Sequence, residues 1–205
     1  VAEKPGPGFS AYHAATREGD PRKTLLAALD AFAPFAGFAL DLGCGTGRDT
    51  VELLRRGWRV LAVDAEAEAI AALRARSEAA EAGDRLETRI ARFEAIALPR
   101  CDLVNGSFAL PLCGPRAFPA LWQRIRAALA PDGRIAGQLF GPRDSFASRA
   151  DPPAIHDRAA VDALLADLSV EMLDEEETDS ITPRGTSKHW HIFHVVARKG
   201  NDAAA

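Results

Sequence analysis

Residues 38–64, FALDLGCGTGRDTVELLRRGWRVLAVD, run from one apolar stretch to a second through three glycines and a helical pattern. A strand that ends in glycines and passes at once into a helix is a ligand cradle, because glycine admits positive φ and lets a bound molecule approach the backbone closely. The second stretch ends in an acid, Asp64. In a βαβ unit that position faces the hydroxyls of a bound ribose. An acid also favours helix caps, so capping is the alternative reading of Asp64.

The elements around this unit alternate. Apolar strand-like runs fall at 38–42, 58–63, 85–91, 102–108, 134–140, 170–176 and 189–197. Helical patterns lie between them at Asp49–Arg56, Glu66–Glu81, Ala117–Ala130 and Asp157–Leu168, preceded by Phe9–Arg17 and by PRKTLLAALDAF from Pro21, a residue suited to a first helical turn. The early strands are nearly continuous in apolar residues, as in a parallel sheet covered on both faces. The last two alternate, and TDSITPRGTSK separates them as a turn-rich gap. The expected fold is α/β: a single doubly wound sandwich whose seven-stranded, mostly parallel sheet ends in an antiparallel hairpin, with helices on both faces. Residues 1–36 are expected to form an N-terminal helical lid, 37–199 the main domain and 200–205 a disordered tail.

With 205 residues there is room for one sizeable core. The net charge of −4 disfavours a phosphate backbone as partner, so no nucleic acid is expected. Cys44, Cys101 and Cys113 lack CxxC spacing and suit buried thiols in a reducing cytoplasm; no metal site is expected. No run approaches the ~20 apolar residues that span a bilayer, and VAEKPGPGFSAYH has no apolar leader core, so no membrane association is expected.

The glycine pattern discriminates among nucleotides. A dinucleotide fingerprint GxGxxG counted from Gly43 would need glycine where Arg48 stands, and no G-K-[ST] follows for a P-loop. Asp41, at the strand end, would repel a pyrophosphate and suit a cationic amino group. Backbone for close approach, one acid for an ammonium and one for a ribose describe S-adenosyl-L-methionine better than a phosphate-bearing cofactor.

On these residues the chain resembles a known family. ALDLGCGTGRDT, VLAVDAEAEAI and LAPDGRIAGQLFG are similar to class I S-adenosylmethionine-dependent methyltransferases, and KHWHIFHVVARK to the closing strand of the small bacterial tellurite-resistance and thiopurine methyltransferase-like group. The resemblance implies that Asp41 and the loop Gly43, Gly45 and Gly47 hold the methionine part, Asp64 the ribose, and Ala65 sits beside the adenine. The family's acid for the adenine amino group is replaced by Arg92, which accepts no hydrogen bond. Adenine would then use Phe93, by backbone or stacking, or Glu94; a solvated Arg92–Glu94 pair is the other reading. Asn105, Gly106 and Ser107 would meet the amino-acid end, and Tyr12 would close over the site or simply pack.

The reaction implied is in-line displacement of the methyl group onto a small-molecule acceptor, by positioning and charge neutralisation. A base is needed only for an acceptor protonated at working pH. A thiolate or chalcogen anion, suggested by the subgroup resemblance, needs none, and no catalytic residue is singled out. Arg143 and His156, in or near a Pro/Gly-rich loop, are the candidates for touching the acceptor. His189 and His191 share a strand face without an evident third metal ligand, and His194 faces the other way. The N-P-P-Y-like turn of base and glutamine methylation is missing from NGSFALPLC. The competing readings are a non-catalytic S-adenosylmethionine-binding module acting through a partner, and a nicotinamide-dependent oxidoreductase, which Arg48 and Asp41 disfavour. A monomer or homodimer is expected.

Overall fold

The computed structural model describes residues 19–181 and 185–201. Tyr12 and the Phe9–Arg17 helix lie outside the described residues. The described elements run α1 (Lys23–Phe32), β1 (Phe38–Leu42), α2 (Arg48–Arg55), β2 (Arg59–Asp64), α3 (Ala67–Arg74), α4 (Ser77–Ala82), β3 (Leu86–Ile90), β4 (Cys101–Gly106), α5 (Phe118–Ala128), β5 (Leu129–Phe140), α6 (Arg158–Leu165), β6 (Leu168–Ile181) and β7 (Ser187–Lys199). The sheet has the order β3-β2-β1-β4-β5-β7-β6. Neighbours pair in parallel up to β5, and β7 runs antiparallel to both β5 and β6. The strand order reverses between β1 and β4, which places a crevice beyond their carboxyl ends.

Alternate residues of the central strands feed opposite cores, as the two-residue strand period requires. Leu40 and Leu42 pack with Leu121 and Ile125 of α5 and Val161 and Leu165 of α6. Ala39, Val60 and Leu103 pack with Leu25 and Leu29 of α1, Leu53 and Leu54 of α2, and Ile70 and Leu73 of α3. Asp41 shares the face of Ala39 and so lies under α2, where its carboxylate meets Thr50. The β6 edge carries Glu175, Glu176 and Glu177, charges that discourage further strand pairing.

Two expectations need correction. The alanine-rich run 66–81 is two helices, because Arg76 is extended (φ −80°, ψ 144°) and turns α4 back onto α2. Ala82 and Ala79 thereby join the core under Leu53 and Leu54, and Arg55 reaches Glu78 at 2.7 Å. Packing overrides the helix propensity of alanine there. The second correction is the hairpin, which is longer than the sequence pattern predicts. Thr178 to Ile181 still pair, with Trp190 opposite Thr178 and Ser187 opposite Ile181.

Candidate cofactor site

The glycine loop leaves β1 by a tight bend. Gly43, Gly45 and Gly47 have φ of 74°, 53° and 86°. The N–H groups of Gly43 and Cys44 both donate to the Val63 carbonyl, at 2.8 and 3.1 Å, and so tie the bend to β2. A Cβ on Gly43 would lie 2.3 Å from that of Ala109, and one on Gly47 would lie 2.2 Å from Leu73 Cδ1. These two glycines let the loop pass between α3 and the segment after β4 as well as freeing the backbone.

Two acids flank the bend. Asp64 is 8% exposed; its Oδ2 accepts from Gly45 N at 2.8 Å and its Oδ1 from Glu66 N at 2.9 Å. It therefore shapes the loop and the turn that leads into α3, while each oxygen retains a lone pair. Asp41, 2% exposed, accepts from Thr50 Oγ1 at 2.5 Å and from Asn105 Nδ2 at 2.9 Å. The same Asn105 amide donates to Asp49 Oδ2 at 3.1 Å, and Asp49 Oδ1 accepts from Arg22 N at 3.0 Å. Burial, aided by the neighbouring Asp49 charge, pushes the Asp41 carboxyl up to about 7. A buried acid held near its titration point is a receptor for a cation.

The remaining sequence candidates divide. Asn105 is fully buried and bridges the two acids, with its Oδ1 accepting from Ser107 Oγ at 3.1 Å. Gly106 sits against Leu110, 2.3 Å from where its Cβ would be. The Phe93 ring stands beside Gly43, with Cε1 3.5 Å from the position of a Cβ there. Ala65 is exposed at the end of β2. Arg92 is exposed and pairs with the half-buried Glu94 at 2.5 Å. Arg143 pairs with Glu177 at 2.7 Å and Glu175 at 3.3 Å, on the hairpin. His156 packs on Phe118, ring centroids 4.5 Å apart, and burial lowers its pKa. His189 meets Asp179 and Glu177, His191 meets Glu175, and His194 on the opposite face meets Glu176. Among the described residues no group of three such side chains is arranged to hold a metal ion.

Sequence reasoning passed over Asp49. An acid in a first helical turn is ordinary, since it complements the helix dipole; its burial at 5% exposure is what distinguishes it. Cys44, inside the loop, is no nucleophile: burial and the Asp41 and Asp64 charges push its thiol well above the ordinary value. With a thiol reagent near pH 8, half-buried Cys113 is expected to react first, and Cys44 and Cys101 only on unfolding. Rapid labelling of Cys44 in the folded chain would contradict this packing.

A cleft of about 520 Å³ opens at the other end of the sheet, by Leu98, Arg124, Leu129 and Lys199. Two of its cations brace the backbone: Lys199 donates to Arg126 O and Leu129 O, and Arg124 to Glu94 O and Ile96 O. The acids and the glycine bend are at the switch point instead.

Residues 39–133, which span the bend, both acids and Asn105, match the protein family described as "Methyltransferase domain". Over these residues, just under half of its length, the chain resembles a methyltransferase domain. Solved structures share the fold. TehB from Haemophilus influenzae is similar at a TM-score of 0.75 and 17% identity, over 93% of this chain. The chain spans 65% of the length of that TehB structure. A 1,6-didemethyltoxoflavin-N1-methyltransferase from Burkholderia thailandensis, with bound 1,6-didemethyltoxoflavin and S-adenosylhomocysteine, matches at a TM-score of 0.63 and 21% identity, over 97% of this chain and 93% of its own. A structure described under conversion of a disulfide bond into a thioacetal group during echinomycin biosynthesis matches at 0.66 and 19%, over 96% and 93%. No curated protein matches the chain by sequence. No helix among the described residues is long and apolar enough to cross a membrane.

Proposed function

We propose that the chain transfers a methyl group from S-adenosylmethionine to a small-molecule acceptor, a thiol or chalcogen anion. The observation that carries this reading is the pair of buried acids, Asp41 and Asp64, on either side of a glycine bend at the switch point. Both would repel a diphosphate; an ammonium and a ribose diol suit them. The cofactor fits these residues, since the raised Asp41 carboxyl gains a cationic neighbour and Asp64 has lone pairs left for hydroxyls. S-adenosylmethionine supplies a methyl group already activated on a sulfonium.

The roles follow from position. Asp41, steadied by Thr50 and Asn105, receives the ammonium; the loop Gly43–Gly47 lies along the methionine part; Asp64 accepts from the ribose; Ala65 and Phe93 border the adenine. Gly106 and Ser107 face the amino-acid end. Arg92 serves the rim through Glu94, and Arg143 the hairpin. His156, against Phe118, borders the acceptor side. The main domain is 37–199; Tyr12 with the rest of 1–18, and 202–205, lie outside the described residues. The acceptor class is supported by the sequence resemblance and by the sulfur chemistry named for the echinomycin structure. The chain acts as a monomer or homodimer. Three free thiols suit a reducing cytoplasm.

Cofactor affinity is expected to rise with pH and level off above about 7, where Asp41 titrates. The bound ammonium lowers the Asp41 pKa, so binding releases a proton below that point and affinity gains up to about tenfold per pH unit. Calorimetry at pH 5.5, 6.5 and 7.5 in buffers of differing ionisation heat reads both the trend and the proton; a flat profile would contradict the Asp41 role. The activity is tested by incubating the chain with S-adenosylmethionine and thiols, selenite, tellurite, phenols or carboxylates, with S-adenosylhomocysteine as readout. Turnover on oxygen acceptors alone would remove the thiol and chalcogen reading. Cofactor binding without turnover on any acceptor would favour a binding module.

A further inference from the structure

The glycine bend and its acids occupy one end of the sheet. At the other end β4 starts at Cys101, β5 starts at Leu129 and β7 finishes at Lys199, and the cleft of about 520 Å³ opens beside them. The six residues of β4, at about 3.3 Å each, set it roughly 20 Å from the bend. Its volume lies in the range of small-molecule pockets. Nothing in the methyl-transfer reading draws on it.

Three cations line this cleft, Arg100, Arg124 and Lys199, and no acid does. Arg124 and Lys199 are half-buried, and their bracing bonds go to carbonyls, which carry no net charge. The acids of the adjoining segments are engaged elsewhere. Asp102 Oδ2 accepts from Phe38 N at 2.9 Å, Glu94 pairs with Arg92 at 2.5 Å and Asp167 with Arg126 at 2.8 Å. Among the described residues no ion pair reaches any of the three cations. Donors remain after the braces are counted. The Lys199 ammonium has a proton beyond its two bonds, Arg124 has N–H groups to spare, and exposed Arg100 keeps its whole fork. The wall between the cations is apolar, formed by Leu98, Ala128, Leu129 and Pro131. Cations converging over such a wall focus a positive field on the cleft, in a chain whose net charge is −4.

We propose that this cleft is a second binding site, which takes a small amphipathic anion. A carboxylate or phosphate head meets Arg100, with Arg124 and Lys199 behind it, and an apolar body lies on Leu98, Leu129 and Pro131. A guanidinium pairs with either head through two parallel N–H bonds. The body gains by leaving water. The site is separate from the cofactor crevice, and it stands whether or not the chain transfers methyl groups.

The test titrates the full chain with octanoate by calorimetry, with and without S-adenosylhomocysteine. One saturable site per chain is expected in both conditions, weakened by added salt. Octanol, the same body without the charge, is expected to bind at least about tenfold more weakly. Arg100→Gln is expected to lose about tenfold in octanoate affinity. Its thermal midpoint and S-adenosylhomocysteine affinity are expected to be unchanged, because Arg100 braces nothing in the fold. Arg100→Lys keeps the charge without the fork and is expected to lose less. Octyl phosphate, titrated alongside, distinguishes the two heads, and the tighter binder identifies the one the cleft prefers. No saturable octanoate binding, equal binding of octanol, or unchanged octanoate affinity in Arg100→Gln would overturn the inference. Displacement of octanoate by S-adenosylhomocysteine would put the anion in the cofactor crevice and overturn it as well.

Discussion

Asp64→Ala is expected to weaken S-adenosylhomocysteine binding by about 2–3 kcal/mol, roughly 30- to 150-fold, the scale of losing charge-assisted hydrogen bonds. Part of that loss comes from the hydroxyls Asp64 is assigned to receive. The rest comes from the loop, since the carboxylate also accepts from Gly45 N and Glu66 N. Asp64→Asn separates the two contributions. It keeps the shape but turns an NH2 toward one of those two N–H groups, so the loop suffers while one acceptor oxygen survives. An intermediate loss is expected. Titration calorimetry checks it, and unchanged affinity in Asp64→Ala would leave Asp64 as a loop-shaping residue only.

The largest stability effect is expected from Asn105→Leu. Its fully buried amide donates to both Asp41, at 2.9 Å, and Asp49, at 3.1 Å. Leucine leaves two buried acids facing each other across an apolar side chain, which costs about 3–5 kcal/mol. At this chain length that lowers the thermal midpoint by roughly 10 °C. The loss depends on pH with a definite sign. Asp41 has its pKa raised on folding, so its contribution to stability is fully present below the ordinary value of 3.8 and is lost as pH rises through about 7. The Asn105 bond holds that rise in check, so its removal hurts more at pH 8 than at pH 5. A midpoint equal to the parent's at both pH values would show that the amide does not bridge the acids.

The sequence carries the parts of the site that depend on local pattern. Apolar runs bounded by glycine place β1 and β2, and the acids at their ends are legible because a strand end beside a glycine bend is a place where charge has few innocent uses. Other parts depend on distant partners. Asp49 reads as an ordinary first-turn acid until Asn105, 56 residues away, buries against it. Phe108 gives no sign of its φ of 55°, since the residues that announce a positive φ are glycine and asparagine. Lys188 ends a stretch that reads as a turn-rich gap, yet the hairpin strands run on to Ile181 and resume at Ser187. Arg143 is the reverse case: an arginine in an irregular loop suggests a ligand, while the fold also sets it against Glu175 and Glu177.

The most direct measurement is a calorimetric titration of the purified chain with S-adenosylhomocysteine and, separately, with NAD. One saturable site for S-adenosylhomocysteine per chain is expected, weakened in Asp41→Ala and Asp64→Ala, with no heat from NAD. Binding of NAD in its place, or no binding of S-adenosylhomocysteine by the folded chain, would contradict the assignment of this crevice to an adenosyl sulfonium.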